Sequence, residues 1–256
     1  MSGVVLTVSL ERLREEPFAS VVCYPKLSGM ELKKRLRELD RLGVTSLEFV
    51  GEKRVFSVPV LGKGCVGIVI LAYRGGEKVA VKLRRVDADR FLMRHEAEML
   101  KFANTVKVGP QLLGVSKNFI LMQFIDGLLL PKWLEKTAEE AHVKAVLVDI
   151  LKQCWRLDRA GLDHGELSHA PKHVIVDFQH QPFIVDFESA SLNRRSANVT
   201  SIVQFLFVSG AVAEKVAERL GEKDRSAIIE ALRSYKADLS IENFKRVLTA
   251  CGFHVT

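Results

Sequence analysis

The stretch GLDHGELSHAPKHVIVDFQHQPFIVDFESAS, residues Gly161 to Ser191, decides how the rest of the chain is read. A polar, kinked loop leads into two short apolar runs, VIVDF and PFIVDF. Each ends in Asp-Phe, and a turn at Gln179–His180–Gln181 joins them. Apolar runs of this length bounded by turn residues read as strands, and the short connection pairs them as a hairpin. His164, Glu166 and His173 stand before the hairpin and Asp186 closes it. An unpaired charge inside a core costs several kcal/mol, so a cleft must give these groups their use.

Upstream, residues from about Glu139 to Arg159 carry Val143, Val146, Leu147, Ile150, Leu151, Cys154, Trp155 and Leu157 at helical spacing, and Gly161 ends the helix. Cys154 and Trp155 read as core. Before that helix, VGPQLLGVS and NFILMQFIDG read as two strands. Further back, VLGKGCVGIVILAY and EKVAVKLRRV form a hairpin across Gly75–Gly76. Its first strand holds Gly62, Gly64 and Gly67 in the spacing G-x-G-x-x-G, with Val69 two residues on. A strand follows these glycines, not a helix, which argues against a dinucleotide-binding turn. Glycines in such a hairpin let backbone N–H groups close over phosphates without side-chain obstruction. Lys82 ends the run VAVK as either a snorkelling strand residue or a phosphate ligand held by a carboxylate. The helix Asp89–Ala103, placed behind the sheet, offers Glu96 for that role and Glu98 as the fallback.

Residues 1–57 read as a small α/β appendage. The apolar stretches VVLTV and FASVVCY flank a charged helical piece around Leu10–Glu16. A helix from Met30 to about Leu42 follows, with Ser28 and Glu31 as a capping box and Gly43 as its stop. Leu32, Leu36, Leu39 and Leu42 form its apolar stripe, and Lys33, Lys34, Arg35, Arg37 and Arg41 leave the remainder basic. SLEFV and KRVFSV then read as a hairpin around Gly51–Glu52. A basic helix before a hairpin suggests a winged-helix fragment with an RNA or ribosomal partner; the plainer expectation is a solvated helix packed on the next domain. Past Ser191, four helical pieces bury a second lobe and carry no recognisable chemistry.

With 48% apolar and 27% charged residues, the 256-residue chain has the composition of a soluble globular protein. No apolar run reaches the length of a membrane span, and the first residues lack the pattern of a secretion signal. Four scattered cysteines (Cys23, Cys65, Cys154, Cys251) lack metal-ligand spacing and fit reduced thiols, so a cytoplasmic location is expected. The net charge of +7 favours an anionic partner such as a nucleotide, RNA or an acidic protein.

Taken in order, these elements resemble the protein-kinase-like superfamily, and within it small atypical archaeal kinases. Relatives in that group include the RIO kinases, the kinase subunit of the tRNA-threonylcarbamoylation complex and the aminoglycoside phosphotransferases. GKGCVGIV resembles the glycine-rich loop, VAVK the strand of the phosphate-binding lysine, and RHEAEML the helix of its paired glutamate. LMQFIDG looks like the hinge, and HGEL…KHVIV…IVDFE like the catalytic loop and metal-binding segment. The resemblance covers about Val58 to Ser191.

It implies an α+β, two-lobed fold. Residues 58–126 would form an N-lobe with a five-stranded antiparallel sheet, and 127–256 a mainly helical C-lobe. The implied activity is ATP–Mg²⁺-dependent phosphotransfer, most simply by a serine/threonine protein kinase or a related ATPase. The alternatives are a nucleotide-binding pseudokinase scaffold and a small-molecule kinase. In this reading Gly62, Gly64, Gly67 and Lys82 hold phosphates, with Glu96 holding Lys82. Val69, Ala80, Met122, Gln123 and Ile125 surround adenine. Asp186 binds Mg²⁺, and Glu166 is the base.

The chain also departs from the pattern. Glu166 replaces the usual Asp, and His173 or Lys172 takes the place of the metal-binding Asn, which makes His173 the second implied metal position. Glu188 replaces a Gly, and no Ala-Pro-Glu segment follows. His164 is expected to brace the loop, and His142, His169, His180 and His254 to lie at the surface.

Overall fold

In the computed structural model, which describes residues 6–253, a seven-stranded antiparallel sheet organises the first half of the chain. In chain order come β1 (Leu6–Ser9), a single 3-10 turn at Arg12–Arg14, α1 (Phe18–Val22), α2 (Gly29–Arg41) and β2 (Val44–Phe49). They are followed by β3 (Lys53–Val55), β4 (Val58–Val60), β5 (Gly62–Lys63), β6 (Gly67–Arg74) and β7 (Glu77–Arg84). Then come α3 (Arg90–Thr105), β8 (Leu112–Val115) and β9 (Phe119–Gln123). The strand order is β1-β2-β6-β7-β9-β8, with β5 alongside β6, while β3 and β4 form a separate ribbon.

Residues 6–57 are thus part of the sheet unit and not an appendage, winged or otherwise, and the sheet exceeds the expected five strands. The reason lies in the alternation of β6, β7 and β9. One face presents Ile68, Ile70, Val79, Val81, Leu83, Phe119 and Leu121, all buried. Phe18, Val21 and Val22 of α1 and Leu32, Leu36 and Leu39 of α2 complete the same core. Covering such a side chain stabilises the fold by about 1.5–3 kcal/mol. The expected hairpin around Gly51–Glu52 does not form, because β2 pairs with β1 and β6 while β3 turns back on β4.

Polar bonds lock α2 to the sheet. Arg35, read above as part of a basic outer face, is fully buried. Its Nη1 donates to the carbonyls of Val22 (2.8 Å) and Arg84 (2.6 Å). The Glu38 carboxylate accepts from the Asn118 backbone N–H (2.9 Å), the Asn118 amide (2.7 Å) and the Ser116 hydroxyl (2.7 Å). The Ser28–Glu31 capping box is not made; Glu31 instead accepts from Arg35 Nε at 3.0 Å.

The chain divides into two compact units. The first is the seven-stranded sheet with its covering segments, up to Lys101 and again over Pro110–Phe124; the second is Phe102–Gly109 with Ile125 onward. The second holds β10 (Gly127–Leu129), α4 (Leu130–Lys136), α5 (Glu140–Arg159), β11 (Val174–Asp177) and β12 (Pro182–Ile184). The expected hairpin is β11–β12, and β10 pairs with β11 to make three strands. After them come α6 (Asn198–Val203), a π-helical turn over Gln204–Val208, α7 (Ala211–Leu220), α8 (Arg225–Ala237) and α9 (Ile241–Ala250). The fold is α+β. Among the described residues no single helix is long and apolar enough to cross a membrane. All four cysteines are free thiols.

Candidate functional site

In the first unit the β register sets the candidate residues on one face. Val69 lies opposite Lys82, Leu71 opposite Ala80, and Ala80 opposite Met122. Because side chains alternate along a strand, Gly67, Val69, Ala80, Lys82 and Met122 share that face. Lys82 is 6% exposed and Glu96 of α3 is 4% exposed. The Lys82 ammonium lies 2.7 Å from each Glu96 oxygen. Glu98 is turned away and accepts from Arg94 at 2.9 Å.

Gly67 is there for close approach. A Cβ on it would stand 2.8 Å from the Leu83 carbonyl oxygen and 3.2 Å from Lys82 Cγ. Gly64 closes the turn by donating its N–H to the Gly67 carbonyl at 2.8 Å, so that N–H is engaged within the loop itself. Gly62 pairs with Val69 at the loop's base. Gln123 donates its N–H to the Gln111 carbonyl at 2.8 Å, which commits it to the sheet edge. Ile125 is half-buried in the second unit.

The second unit gathers the loop residues around the hairpin. His164 is fully buried, and its backbone N–H donates to Asn198 Oδ1 at 2.8 Å. Its Nε2 lies 3.1 Å from the Val185 carbonyl, and its ring meets His173 and Phe187 edge-on. That is a brace, as expected. Burial above all, then the neighbouring His173, pushes the His164 imidazole down to about 4.

The unfolded imidazole, with its ordinary value of 6.5, takes up a proton that the folded one refuses. Stability is therefore full above about pH 6.5, falls as pH drops towards about 4, and loses about 3 kcal/mol from this group across that window. His164→Gln removes this contribution. Urea midpoints measured from pH 7 to pH 4 check it, and an unchanged slope in the variant contradicts it.

Asn198 is itself held. The Asp158 carboxylate accepts from the Asn198 N–H (2.8 Å), the Asn198 amide (2.8 Å), the Val199 N–H (3.1 Å) and the Tyr235 hydroxyl (2.9 Å). Burial raises the Asp158 pKa, and these hydrogen bonds oppose the rise. Asp158 and Asn198 are thus site supports that sequence reasoning missed. The available signal was spacing, since Asp158 falls four residues after Cys154 on the buried stripe of α5.

Gly165, between His164 and Glu166, has φ +88°, and a Cβ there would lie 2.9 Å from the Ser189 carbonyl oxygen. This turn brings Glu166 onto Ser189, whose hydroxyl donates to Glu166 Oε1 at 2.5 Å. His173 Nε2 lies 2.9 Å from Glu166 Oε2, and His173 Nδ1 lies 3.9 Å from Asp186 Oδ2. The Ser189 hydroxyl first, then His173, holds the Glu166 carboxyl below its usual range. Ser189 is a third residue missed, with no motif to announce it. Asp186 adopts φ +70°, ψ +73°, a left-handed conformation uncommon outside glycine, and opens the 3-10 turn Phe187–Ser189.

The donor set decides how far Mg²⁺ fits. Asp186 supplies hard carboxylate oxygen, as this cation prefers, and half-buried Glu188 stands two residues on. His173 does not fit. It offers nitrogen, it is fully buried, and both ring nitrogens face carboxylates. Its geometry is that of a spacer between Glu166 and Asp186. Lys172 and His169 are exposed; His142 and His180 stack with ring centroids 4.1 Å apart; His254 lies outside the described residues.

No family model matches the chain. The uncharacterized protein MJ1211 of Methanocaldococcus jannaschii is 31% identical to it over 117 residues, which is 45% of this chain and 98% of that relative. The chain belongs to one family with that protein. As that relative is uncharacterized, the kinship brings no activity with it, and the functional reading rests on the residues themselves.

Proposed function

We propose that the chain is an ATP–Mg²⁺-dependent phosphotransferase of two-lobed, protein-kinase-like fold, acting as an atypical serine/threonine kinase or a related ATPase. The observation that carries this reading is the buried Lys82–Glu96 pair beneath a glycine-bearing hairpin. Burying two charges is costly unless they serve each other or a ligand. Here the pair fixes an ammonium on the sheet face it shares with Val69, Ala80 and Met122. In the first unit, Lys82 would take phosphate oxygens, with Val69, Ala80 and Met122 against the base.

In the second unit, Asp186 and Glu188 would hold the cation. Mg²⁺, when bound, neutralises charge on the transferring phosphoryl group. Glu166, ionised under Ser189 and His173, is an acceptor for a hydroxyl or water proton. Its two oxygens are already engaged, and this favours the second reading, a protein of the same fold that binds nucleotide and transfers poorly.

MgATP at about 100 times its Kd should stabilise the fold by about 2.7 kcal/mol. Glu166→Gln should keep that gain while turnover drops about 10²–10⁴-fold. Thermal melts and a phosphate-release assay on both proteins test this. If MgATP gives no gain in the wild type, the nucleotide reading fails; if turnover survives in the variant, Glu166 is not the base.

A further inference from the structure

The glycine-bearing turn is tied to a residue well outside it. Tyr24, between α1 and α2, has the Lys63 ammonium 5.0 Å and the Arg85 guanidinium 5.1 Å from its ring centroid. Lys63 ends β5 where the turn begins, and Arg85 follows β7 directly. The backbone repeats the connection. The Val86 N–H donates to the Tyr24 carbonyl at 2.8 Å, and the Arg85 N–H donates to the Val66 carbonyl at 2.9 Å. Phe56 packs edge-on against the same ring at 5.5 Å, and Asp87 holds the Arg85 guanidinium by two bonds of 2.9 and 2.7 Å. One aromatic ring therefore carries a cation from the turn and another from the end of the lysine strand.

We propose that Tyr24 is a positioning residue for the glycine-rich turn. Through Lys63 it holds the turn in its phosphate-ready conformation, so that the N-terminal segment sets nucleotide affinity. A glycine-bearing turn keeps more backbone freedom than one built of other residues, and that freedom must be lost when phosphate binds. The ring face removes part of that freedom beforehand by attracting the Lys63 ammonium. The inference rests on the nucleotide reading above and adds to it a residue at which affinity is tuned.

The test is calorimetric titration of MgATP into wild type, Tyr24→Leu, Tyr24→Phe, Lys63→Met and the Tyr24→Leu/Lys63→Met double variant. An exposed cation–π contact corresponds to a loss of about two- to five-fold in affinity. Tyr24→Leu and Lys63→Met should each show that loss. Tyr24→Phe, which keeps the ring, should bind as the wild type does, and the double variant should be no worse than either single change. Equal binding by wild type and Tyr24→Leu overturns the proposal while leaving the nucleotide reading intact. So does additivity in the double variant, which would mean that Lys63 meets phosphate on its own account. No binding by the wild type overturns the nucleotide reading itself. Lys63 is exposed, so if Tyr24→Leu does not fold, Lys63→Met binding as tightly as the wild type still overturns the proposal.

Discussion

Lys82→Met should destabilise the first unit by about 3–5 kcal/mol, because it leaves the Glu96 carboxylate buried without its ammonium. The size of the effect comes from burial. At a few per cent exposure solvent rescues neither group, so losing one partner of the pair leaves a desolvation cost in the other. The double variant Lys82→Met/Glu96→Leu should recover most of the loss, since apolar replacement of a whole buried pair is often neutral. Urea unfolding of the three proteins measures this. A loss below about 1 kcal/mol in Lys82→Met would mean that the pair is well solvated and does not fix the ammonium. Both variants should lose nucleotide binding. The recovered stability of the double variant then separates ligand contact from folding.

Asp158→Ala should cost the second unit a comparable amount, about 3–5 kcal/mol. Two backbone N–H groups, the Asn198 amide and the Tyr235 hydroxyl would lose their shared acceptor in a buried setting. Each stranded donor costs about 1–3 kcal/mol, reduced where local relaxation finds another partner. Asp158→Asn keeps the shape and an acceptor oxygen, so it should cost clearly less. The loss should also reach the loop, because Asn198 anchors the His164 N–H. Hydrogen exchange at His164 reads that consequence, and unchanged protection there in Asp158→Ala would break the link between this network and the loop.

What the sequence revealed depended on how local each signal was. The hairpin after His173 and the long helix before Gly161 follow from periodicity or short-range spacing, whereas Glu96 and Glu98 both remained open as the partner of Lys82. The place of residues 6–57 does not follow from such signals. Pairing of β2 with β6 joins residues more than twenty positions apart, and nothing in either strand names its partner. The alternation of Val79, Val81 and Leu83 announces a second apolar face without saying what covers it.

Arg35 was misread for the opposite reason, because its charge outweighed its position. It sits three residues after Leu32 and four before Leu39, on the buried stripe of α2. Glu31, expected as a capping group, accepts from that guanidinium and makes no cap. At the candidate site, the departures from the family pattern at Glu166 and His173 were plain in the sequence. Their resolution through Ser189 and the hairpin needed three dimensions.

Incubation with γ-labelled ATP and Mg²⁺, comparing wild type with Asp186→Ala, tests the central claim most directly. The account predicts Mg²⁺-dependent transfer of label to protein, or its release as phosphate, by the wild type. It also predicts a fall of at least about 100-fold when the Asp186 carboxylate is removed. No turnover by the wild type, or equal turnover by Asp186→Ala, would contradict it.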